Sequence, residues 1–300
     1  MKNYFLILII VIAFTSCGTS TQPIVFQTDF GLKDGAVAEM KGVALSVDPS
    51  LELYDLTHEI PVFNIWEAAY RLNQAASYWP KGTVFVSVVD PGVGTDRKSV
   101  VMKTKSGHYF VSPDNGTLSM VAESLGIAEV RVINEAINRR KGSEGSYTFY
   151  GRDVYAFTAA RLAANKTSFK NVGNKLANSV VRIPYQKPVL ENGMIKGNIP
   201  ILDVQYGNIW TNIPHTLFHK AGWRYGDSLV VEFFNKDSIV FKDTIPLKKT
   251  FGEVKEGKAL AYFNSLMNFS IATNMGSYAG NYNLSSGPGW SITIKKYTRQ

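Results

Sequence analysis

Two charged side chains stand close together in the stretch VVDPGVGTDRKSV, residues 88–100. Asp90 ends an apolar run, Pro91 and Gly92 turn the chain at once, and the loop can return the guanidinium of Arg97 to the carboxylate. A buried ion pair adds little net stability, because desolvation consumes most of its attraction. An Asp–Arg pair at the end of a predicted strand therefore favours chemistry over a purely structural role that only fixes the loop.

A second carboxylate, Asp29, falls at the end of the first predicted strand, in TDFGLKDG. Ligands of open α/β sheets bind at this edge, where the strands end. A carboxylate there can accept two hydrogen bonds from a ribose diol. Alternatively, Asp29 or Asp34 caps the helix that follows. The pattern alone leaves both roles open.

Aromatic side chains mark two further stretches. In SYTFYGRD, Phe149 and Tyr150 precede a glycine and the start of a predicted helix, and the alternative for both is packing in the core. In DVQYGNIWTNI, Asn208 and Trp210 alternate on one face of a predicted strand. An indole with an amide beside it can stack on a purine and hydrogen-bond to it, although a buried strand tryptophan is commoner. Neither motif is specific by itself.

The elements that position these side chains follow from hydrophobic periodicity. The pattern predicts strands over 24–30, 51–57 and 83–90, helices over 35–47, 65–79 and 152–165, and a hairpin over 99–116. This alternation predicts an α/β N-terminal domain, residues 23–180, with a mainly parallel sheet and flanking helices. Short β-rich runs over residues 181–300 predict an all-β C-terminal domain, either a barrel or a sandwich.

Residues 1–22 have the layout of a signal peptide and a lipoprotein tether. An apolar run from Tyr4 to Phe14 follows Lys2, and small residues precede Cys17, as in the lipobox of bacterial lipoproteins. We expect export and lipidation of Cys17, which would anchor the chain to the cell membrane or outer membrane on its periplasmic or extracellular side. The alternative is an ordinary signal peptide with a chance cysteine.

Composition excludes several classes of protein. The formal charge is +8, but basic residues are scattered and do not alternate with aromatic ones, which indicates solvated faces or contact with anionic lipid and no nucleic-acid partner. Cys17 is the only cysteine, so no internal disulfide can form. The four histidines lack metal-ligand spacing, and His58 is expected to be structural. We expect neither a metal nor a cofactor.

Seven motifs occur in one order along the chain: TDFG, DLTHEIPVFNI, VVDPGVGT, PDNGTLS, TFYGRD, YGNIWTNI and FNSLMNFSIA. Over about residues 24–290 the chain thereby resembles the S-adenosylmethionine (SAM) hydroxide adenosyltransferase family, which is related to the fluorinase and chlorinase. The resemblance implies an α/β domain, a β domain and a homotrimer with ligand sites between subunits. It also implies SAM as the substrate, with a nucleophile displacing methionine from C5′.

The resemblance further implies roles for individual residues. The family's water-orienting triad is Asp-Arg-His; Asp90 and Arg97 match it, whereas Tyr150 stands at the histidine position. An imidazole titrates near pH 6.5 and a phenol near pH 10, so a tyrosine is not a base at neutral pH. The implied substrate-binding residues are Asp29, Asp34, Phe63, Phe149, Asp203, Tyr206, Asn208, Trp210 and Ser265.

These roles favour hydrolysis over halogenation. Halogenating relatives share the Phe149-Tyr150 pair but carry tyrosine at the position of Asp90, whose carboxylate would repel a halide at ~4 Å by about 4 kcal/mol. We therefore predict hydrolysis of SAM to adenosine and L-methionine, with water oriented by Asp90 and Arg97. Because an exported protein meets little SAM, two alternatives stay open: hydrolysis of another 5′-substituted adenosine, or a binding lipoprotein with weak or no turnover.

Overall fold

The computed structural model describes residues 21–298. The predicted signal peptide and the lipidation site Cys17 lie outside the described residues. Within residues 21–298, no helix combines the length and the apolar character needed to cross a bilayer.

The N-terminal half contains one six-stranded sheet. Its strands are β1 (Ile24–Thr28), β2 (Leu53–Thr57), β3 (Val84–Val88), β4 (Ser99–Thr104), β5 (Tyr109–Pro113) and β6 (Ile127–Val132), in the order β2-β1-β3-β5-β4-β6. Four strands are parallel, β2, β1, β3 and β5, whereas β4 pairs antiparallel with β5 and β6. The α/β prediction is confirmed, and the sheet is mixed because the hairpin β4–β5 reverses the chain and β6 then extends the antiparallel edge.

Helices cover both faces of this sheet. They are α1 (Ala36–Val47), α2 (Ile65–Ala76), α3 (Ser119–Ser124), α4 (Glu135–Asn138) and a π-helix, Gly151–Ala156, that continues as α5 (Phe157–Ala163). Ile24 and Phe26 of β1 join one core with Met40 and Ala160, while Val25 joins a second core with Leu72. Burial on both faces explains why β1 and β3 are almost continuously apolar.

The strands of the C-terminal half pair antiparallel, with one isolated parallel bridge between Leu247 and Ala261. Its strands are β7 (Val189–Glu191), β8 (Met194–Asn198), β9 (Ile201–Leu202), β10 (Ile209–Pro214), β11 (Ser228–Asn235), β12 (Ser238–Pro246), β13 (Ala259–Phe263), β14 (Asn268–Thr273) and β15 (Trp290–Lys296). Two short helices, α6 (His215–Lys220) and α7 (Tyr278–Tyr282), interrupt them.

These strands form two sheets, β12-β11-β15-β8-β7 and β13-β14-β10-β9. Side chains from both sheets share one core, with Val231 and Ile292 from the first and Ile209 and Phe269 from the second. Neither sheet closes into a barrel within residues 21–298, so the described strands agree with the sandwich alternative.

Helix α2 connects the two halves. The indole of Trp66 donates a hydrogen bond to the carbonyl of Pro200 at 2.7 Å. Its ring packs edge-on against Tyr185, with centroids 5.2 Å apart, in a small core that includes Ile201. One face of α2 is therefore fixed against the C-terminal half.

Candidate active site

The neighbouring strands β1 and β3 bring two carboxylates to one edge of the sheet. Thr28 pairs with Val88, and Asp29 and Asp90 follow within two residues of this pair. Both acids line one cavity of about 200 Å³. The same cavity is lined by three more residues from the sequence prediction, Phe63, Phe149 and Tyr150. The fold thus assembles a compact acidic and aromatic site from segments distant in the chain.

The carboxylate of Asp90 and the guanidinium of Arg97 form a bidentate pair. Arg97 Nε donates to Asp90 Oδ1 at 2.9 Å, and Nη2 donates to Oδ2. Both side chains are nearly buried, 6% exposed for Asp90 and 11% for Arg97. Burial alone would lower the pKa of Arg97, but its hydrogen bonds to Asp90 more than offset this and the pKa is raised. The carboxylate is therefore held beside a permanent cation.

Groups beneath Arg97 complete its support. Arg97 Nη1 donates to Ser99 Oγ at 3.1 Å, and that hydroxyl lies 3.1 Å from the hydroxyl of Tyr155. Burial raises the pKa of the Tyr155 phenol well above its usual value, so it stays protonated. Neither Ser99 nor Tyr155 was predicted as a site residue, because their contacts depend on tertiary packing.

Tyr150 lies against two guanidinium groups. The guanidinium carbons of Arg97 and Arg139 are 4.9 and 4.8 Å from the centre of its ring. Arg139 is held by Glu135 Oε2 at 2.6 Å and by the carbonyl of Ser146 at 3.0 Å. The basic cluster at residues 139–141 is among the basic residues that the charge pattern assigned to solvated faces or contact with anionic lipid. For Arg139 this is wrong, because its side chain is only 9% exposed.

A π-helix follows Tyr150 directly. Its residue Asp153 is fully buried and accepts hydrogen bonds from Arg140 at 3.1 Å and Arg152 at 2.8 Å. Burial alone would raise the pKa of Asp153, but these bonds more than offset it and the pKa is lowered. Single π-turns of this kind are frequent at functional sites. Here the ion cluster fixes the wide turn that presents Phe149 and Tyr150.

Asp29 is bonded to the backbone of Phe63. The amide of Phe63 donates to Asp29 Oδ2 at 2.9 Å. Phe63 adopts a left-handed backbone with φ of 65°, and its side chain is 65% exposed at the cavity. A bulky residue in this region is strained, and such strain concentrates at ligand sites. By contrast, Asp34 is exposed, lies outside this cavity one residue before Gly35, the N-cap of α1, and accepts a hydrogen bond from the amide of Ala36 at 2.9 Å.

The remaining predicted residues lie elsewhere in the same chain. Asp203, Trp210 and Ser265 line a separate open cavity of about 910 Å³. Buried Asn208 donates to Asp203 at 3.4 Å, whereas Tyr206 is 64% exposed and lines neither cavity. The turn before Asn208 requires glycine, since Gly207 has φ of 64° and a Cβ there would lie 2.0 Å from Ser277 Oγ.

One segment borders both cavities. Glu59 and Ile60 line the larger cavity, and Val62 and Phe63 line the smaller one. The two halves of the predicted site are therefore neighbours on the chain surface but do not form a single cavity within one chain.

His58 precedes this segment and is buried. Its Nδ1 lies 2.8 Å from Thr28 Oγ1 and its Nε2 lies 2.9 Å from Asp55 Oδ1. Both ring nitrogens thus link the ends of β1 and β2, which is a structural role. Within residues 21–298, no group of three or more histidine, cysteine or acidic side chains has the arrangement of a metal site.

The fold and the site define a two-domain α/β protein with an acidic and aromatic small-molecule cavity at its sheet edge. Sequence models of the SAM hydroxide adenosyltransferase N-terminal and C-terminal domains match residues 24–173 and 197–291. The chain therefore belongs to the SAM hydroxide adenosyltransferase family, as its motifs predicted, and it is an enzyme of that family.

Individual relatives agree with this assignment. The chain is 37% identical over 220 residues to an (R)-S-adenosyl-L-methionine hydrolase of Methanocaldococcus jannaschii, which covers 72% of this chain and 75% of the relative. It is 30% identical over 299 residues to a fluorinase of Actinopolyspora mzabensis, and the aligned region covers 91% of this chain and 98% of the fluorinase. A crystal structure of an uncharacterized conserved protein from Thermotoga maritima matches with a TM-score of 0.82 at 38% identity and covers 91% and 99%.

Proposed function

We propose that this chain hydrolyses SAM to adenosine and L-methionine. The bidentate pair of Asp90 and Arg97 at the end of β3, facing a cavity shared with Asp29, is the observation that carries the proposal. The oxygen of water forms a bond to C5′, the C5′–S bond breaks, and methionine leaves with the electron pair on sulfur. One proton of the water passes to Asp90 and then to solvent.

A sulfonium is a good leaving group, so the water needs orientation more than a strong base. Asp90 accepts the hydrogen bond of the attacking water, and Arg97 fixes the orientation of the carboxylate. Alignment for in-line attack then supplies much of the acceleration. Tyr150, held by Arg97 and Arg139, orients the water or the ribose and does not remove the proton at neutral pH.

The substrate spans the two groups of predicted residues. Asp29 binds the ribose hydroxyls, and the rings of Phe63 and Phe149 form the walls. Asp203, Asn208, Trp210 and Ser265 of a neighbouring subunit bind adenosine and methionine in a homotrimer. The separation of the two cavities within one chain supports this arrangement, because a second copy is then needed to complete the site.

The direct test is incubation of purified protein with SAM and quantification of adenosine and methionine. We expect slow formation of both products in equal amounts and a loss of turnover in Asp90→Asn. Fluoride and chloride are added in parallel, because Arg97 partly neutralises the carboxylate and so weakens its repulsion of a halide. Formation of a 5′-halogenated adenosine in place of adenosine would select the halogenase function.

A second candidate is an exported adenosine- or SAM-binding protein with weak turnover. Tyr150 favours it, since it occupies the place of the family histidine and carries two cationic neighbours. Calorimetric titration with SAM and adenosine separates the candidates when it is paired with the turnover assay. Binding without products selects the second candidate. Turnover of a different 5′-substituted adenosine, but not of SAM, would show that this other compound is the substrate.

We also propose that the mature chain is exported and anchored through a lipidated Cys17. The apolar run before this cysteine supports the proposal. Mass spectrometry of the membrane fraction checks it: the expected N-terminal peptide begins with an acylated Cys17, and Cys17→Ser should accumulate as an unprocessed or soluble form. An unmodified cysteine in a released protein would contradict lipidation.

A further inference from the structure

A cationic face lies on the N-terminal half, away from both site cavities. It surrounds a shallow open depression of about 760 Å³ between α4, the end of α5 and the loop that follows. Five cations line it: Arg131, Arg161, Lys166, Lys170 and Lys175. The acids that contact these residues are Glu129, which pairs with Arg131 and Lys175, and Asp48, which pairs with Lys166. The face therefore carries a local excess of positive charge.

The two arginines build the face and the three lysines present its charge. Arg131 donates to the carbonyls of Lys170 and Gly173, both at 2.9 Å, and Arg161 donates to the carbonyl of Ile137 at 2.6 Å. Lys166, Lys170 and Lys175 are exposed to solvent. The arginines thus fix the backbone, and three exposed lysines, of which Lys166 and Lys175 also contact acids at the edge of the face, carry positive charge at the surface.

The described chain begins beside this face. The amide of Gln22 donates to the carbonyl of Ala163, the last residue of α5, at 2.9 Å. Thr21 contacts the carbonyl of Ser50, Ser50 donates to Asp48 at 2.7 Å, and Asp48 lies 3.3 Å from the ammonium of Lys166. A continuous series of contacts therefore links the first described residue to the cationic face.

Chain length makes this position significant. Thr21 is four positions after Cys17, and four extended residues span at most about 14 Å. An acyl group on Cys17 would hold the exit point of the chain within that distance of the lipid headgroups. The cationic face would then lie within reach of the surface, where each lysine near anionic lipid strengthens binding by about fivefold.

We propose that this face docks the protein on anionic phospholipid headgroups beside the proposed lipid anchor, where its lysines add electrostatic attraction to the hydrophobic attachment. The inference rests on the proposed export and anchor, and it goes beyond them by assigning the orientation: the end of α5 faces the bilayer.

The test measures the face without the acyl chain. A chain that begins at residue 18 lacks Cys17 and contains every described helix and strand, and circular dichroism checks that it is folded. We expect it to co-sediment with vesicles containing about 30 mol% phosphatidylglycerol and not with pure phosphatidylcholine, and to be released as salt rises from about 50 to about 300 mM. Equal binding to both vesicles would overturn the proposal.

A matched pair of triple variants locates the binding. Lys166→Gln, Lys170→Gln and Lys175→Gln together should weaken partitioning by about tenfold or more. The control changes three exposed lysines elsewhere, Lys220→Gln, Lys255→Gln and Lys258→Gln, with the same loss of charge, and should change partitioning less than about twofold. Equal losses of vesicle partitioning in both triple variants would show an effect of net charge and would overturn the proposal that this face binds the membrane.

Turnover of SAM is measured on the same samples and should be equal in wild type and both triple variants. Vesicle binding without turnover leaves the docking face intact and removes only the proposed hydrolase function. Turnover without preferential binding to anionic vesicles would overturn only the proposal that this face docks on the membrane.

Discussion

The guanidinium carbon of Arg139 lies 4.8 Å from the centre of the Tyr150 ring. The guanidinium of Arg97 lies nearly as close, at 4.9 Å, and it also holds Asp90. The ring of Tyr150 therefore lies between the ion pair of Asp90 with Arg97 and a second, nearly buried cation, Arg139. Two permanent positive charges beside this position disfavour the protonated, cationic form of a histidine placed there.

The first prediction concerns Tyr150→His, which restores the residue type of the family triad. Two adjacent cations disfavour the imidazolium, so the introduced histidine is neutral at pH 7 and can accept a proton from water. We expect kcat for adenosine release to rise by about tenfold or more. The gain should disappear as the pH falls and the imidazole becomes protonated.

Tyr150→Phe is the control for this prediction. It keeps the ring against both guanidinium groups and removes only the hydroxyl that is proposed to orient the water or the ribose, so kcat should fall below the wild-type value and stay far below that of Tyr150→His. If the histidine and phenylalanine variants turned over at the same rate, the position would have no part in proton transfer.

The second prediction concerns Arg97→Lys. A single ammonium cannot hold both carboxylate oxygens of Asp90 in the planar geometry that the guanidinium imposes. We expect kcat to fall by about 100-fold while KM changes little, because the loss is of orientation and not of substrate contact. Arg224→Lys, at an exposed position, is the control. A rise in KM with unchanged kcat would instead place Arg97 in substrate binding.

The parts of the site that lie at strand ends were predictable from sequence. Continuous apolar runs in β1 and β3 indicate strands buried on both faces, and Asp29 and Asp90 follow them directly. Strand β6 was missed although its apolar residues Ala128, Val130 and Val132 alternate with charged ones, a pattern typical of a half-buried strand. The order of strands in the sheet is a tertiary property that local periodicity does not contain.

Residues that act through long-range contacts were not predictable. Arg139 is eleven positions before Tyr150, and only its contact with that ring distinguishes it from the other basic residues of its cluster. The left-handed backbone of Phe63 is likewise set by its bond to Asp29, which is 34 positions away in sequence.

The third prediction uses that backbone. Phe63→Ala and Phe63→Gly both remove the aromatic wall, but only glycine relieves the left-handed conformation. We expect KM for SAM to rise by a similar factor in both variants, and Phe63→Gly to be more stable than Phe63→Ala by about 1 kcal/mol in urea unfolding. An alanine variant that matches the glycine variant in stability would show that the conformation carries no strain.

The fourth prediction is a pH dependence of stability centred on Asp153. Its pKa is lowered in the folded state, because hydrogen bonds from Arg152 and Arg140 outweigh the burial that alone would raise it. The ion cluster therefore stabilises the fold fully above pH ~4, the unfolded pKa of an aspartate, and this contribution is lost as the pH falls through the lowered folded pKa.

Asp153→Asn measures this contribution. At pH 6 the variant should be about 2 kcal/mol less stable, less than for a fully buried pair because both arginines are partly exposed. The difference in unfolding free energy between wild type and variant should narrow below pH 4, because Asp153 of the wild type becomes protonated. Other carboxylates titrate in both proteins and cancel in the comparison. A difference in unfolding free energy that stayed constant down to pH 2.5 would show that protonation of Asp153 does not contribute to acid unfolding.

The last prediction addresses the division of the site between two chains. Asp90 and Trp210 line different cavities of one chain, so the proposed homotrimer, with its sites between subunits, would take Asp90 from one chain and Trp210 from the next. Asp90→Asn and Trp210→Ala should each lose turnover when expressed alone. When the two variants are co-expressed and mix at random, about a quarter of the sites receive both wild-type residues, and about a quarter of the wild-type activity should return. The mixture is compared with the two purified variants combined without subunit exchange, which should remain inactive. If co-expression restores nothing although the mixed oligomer forms, each chain must contain its own complete site.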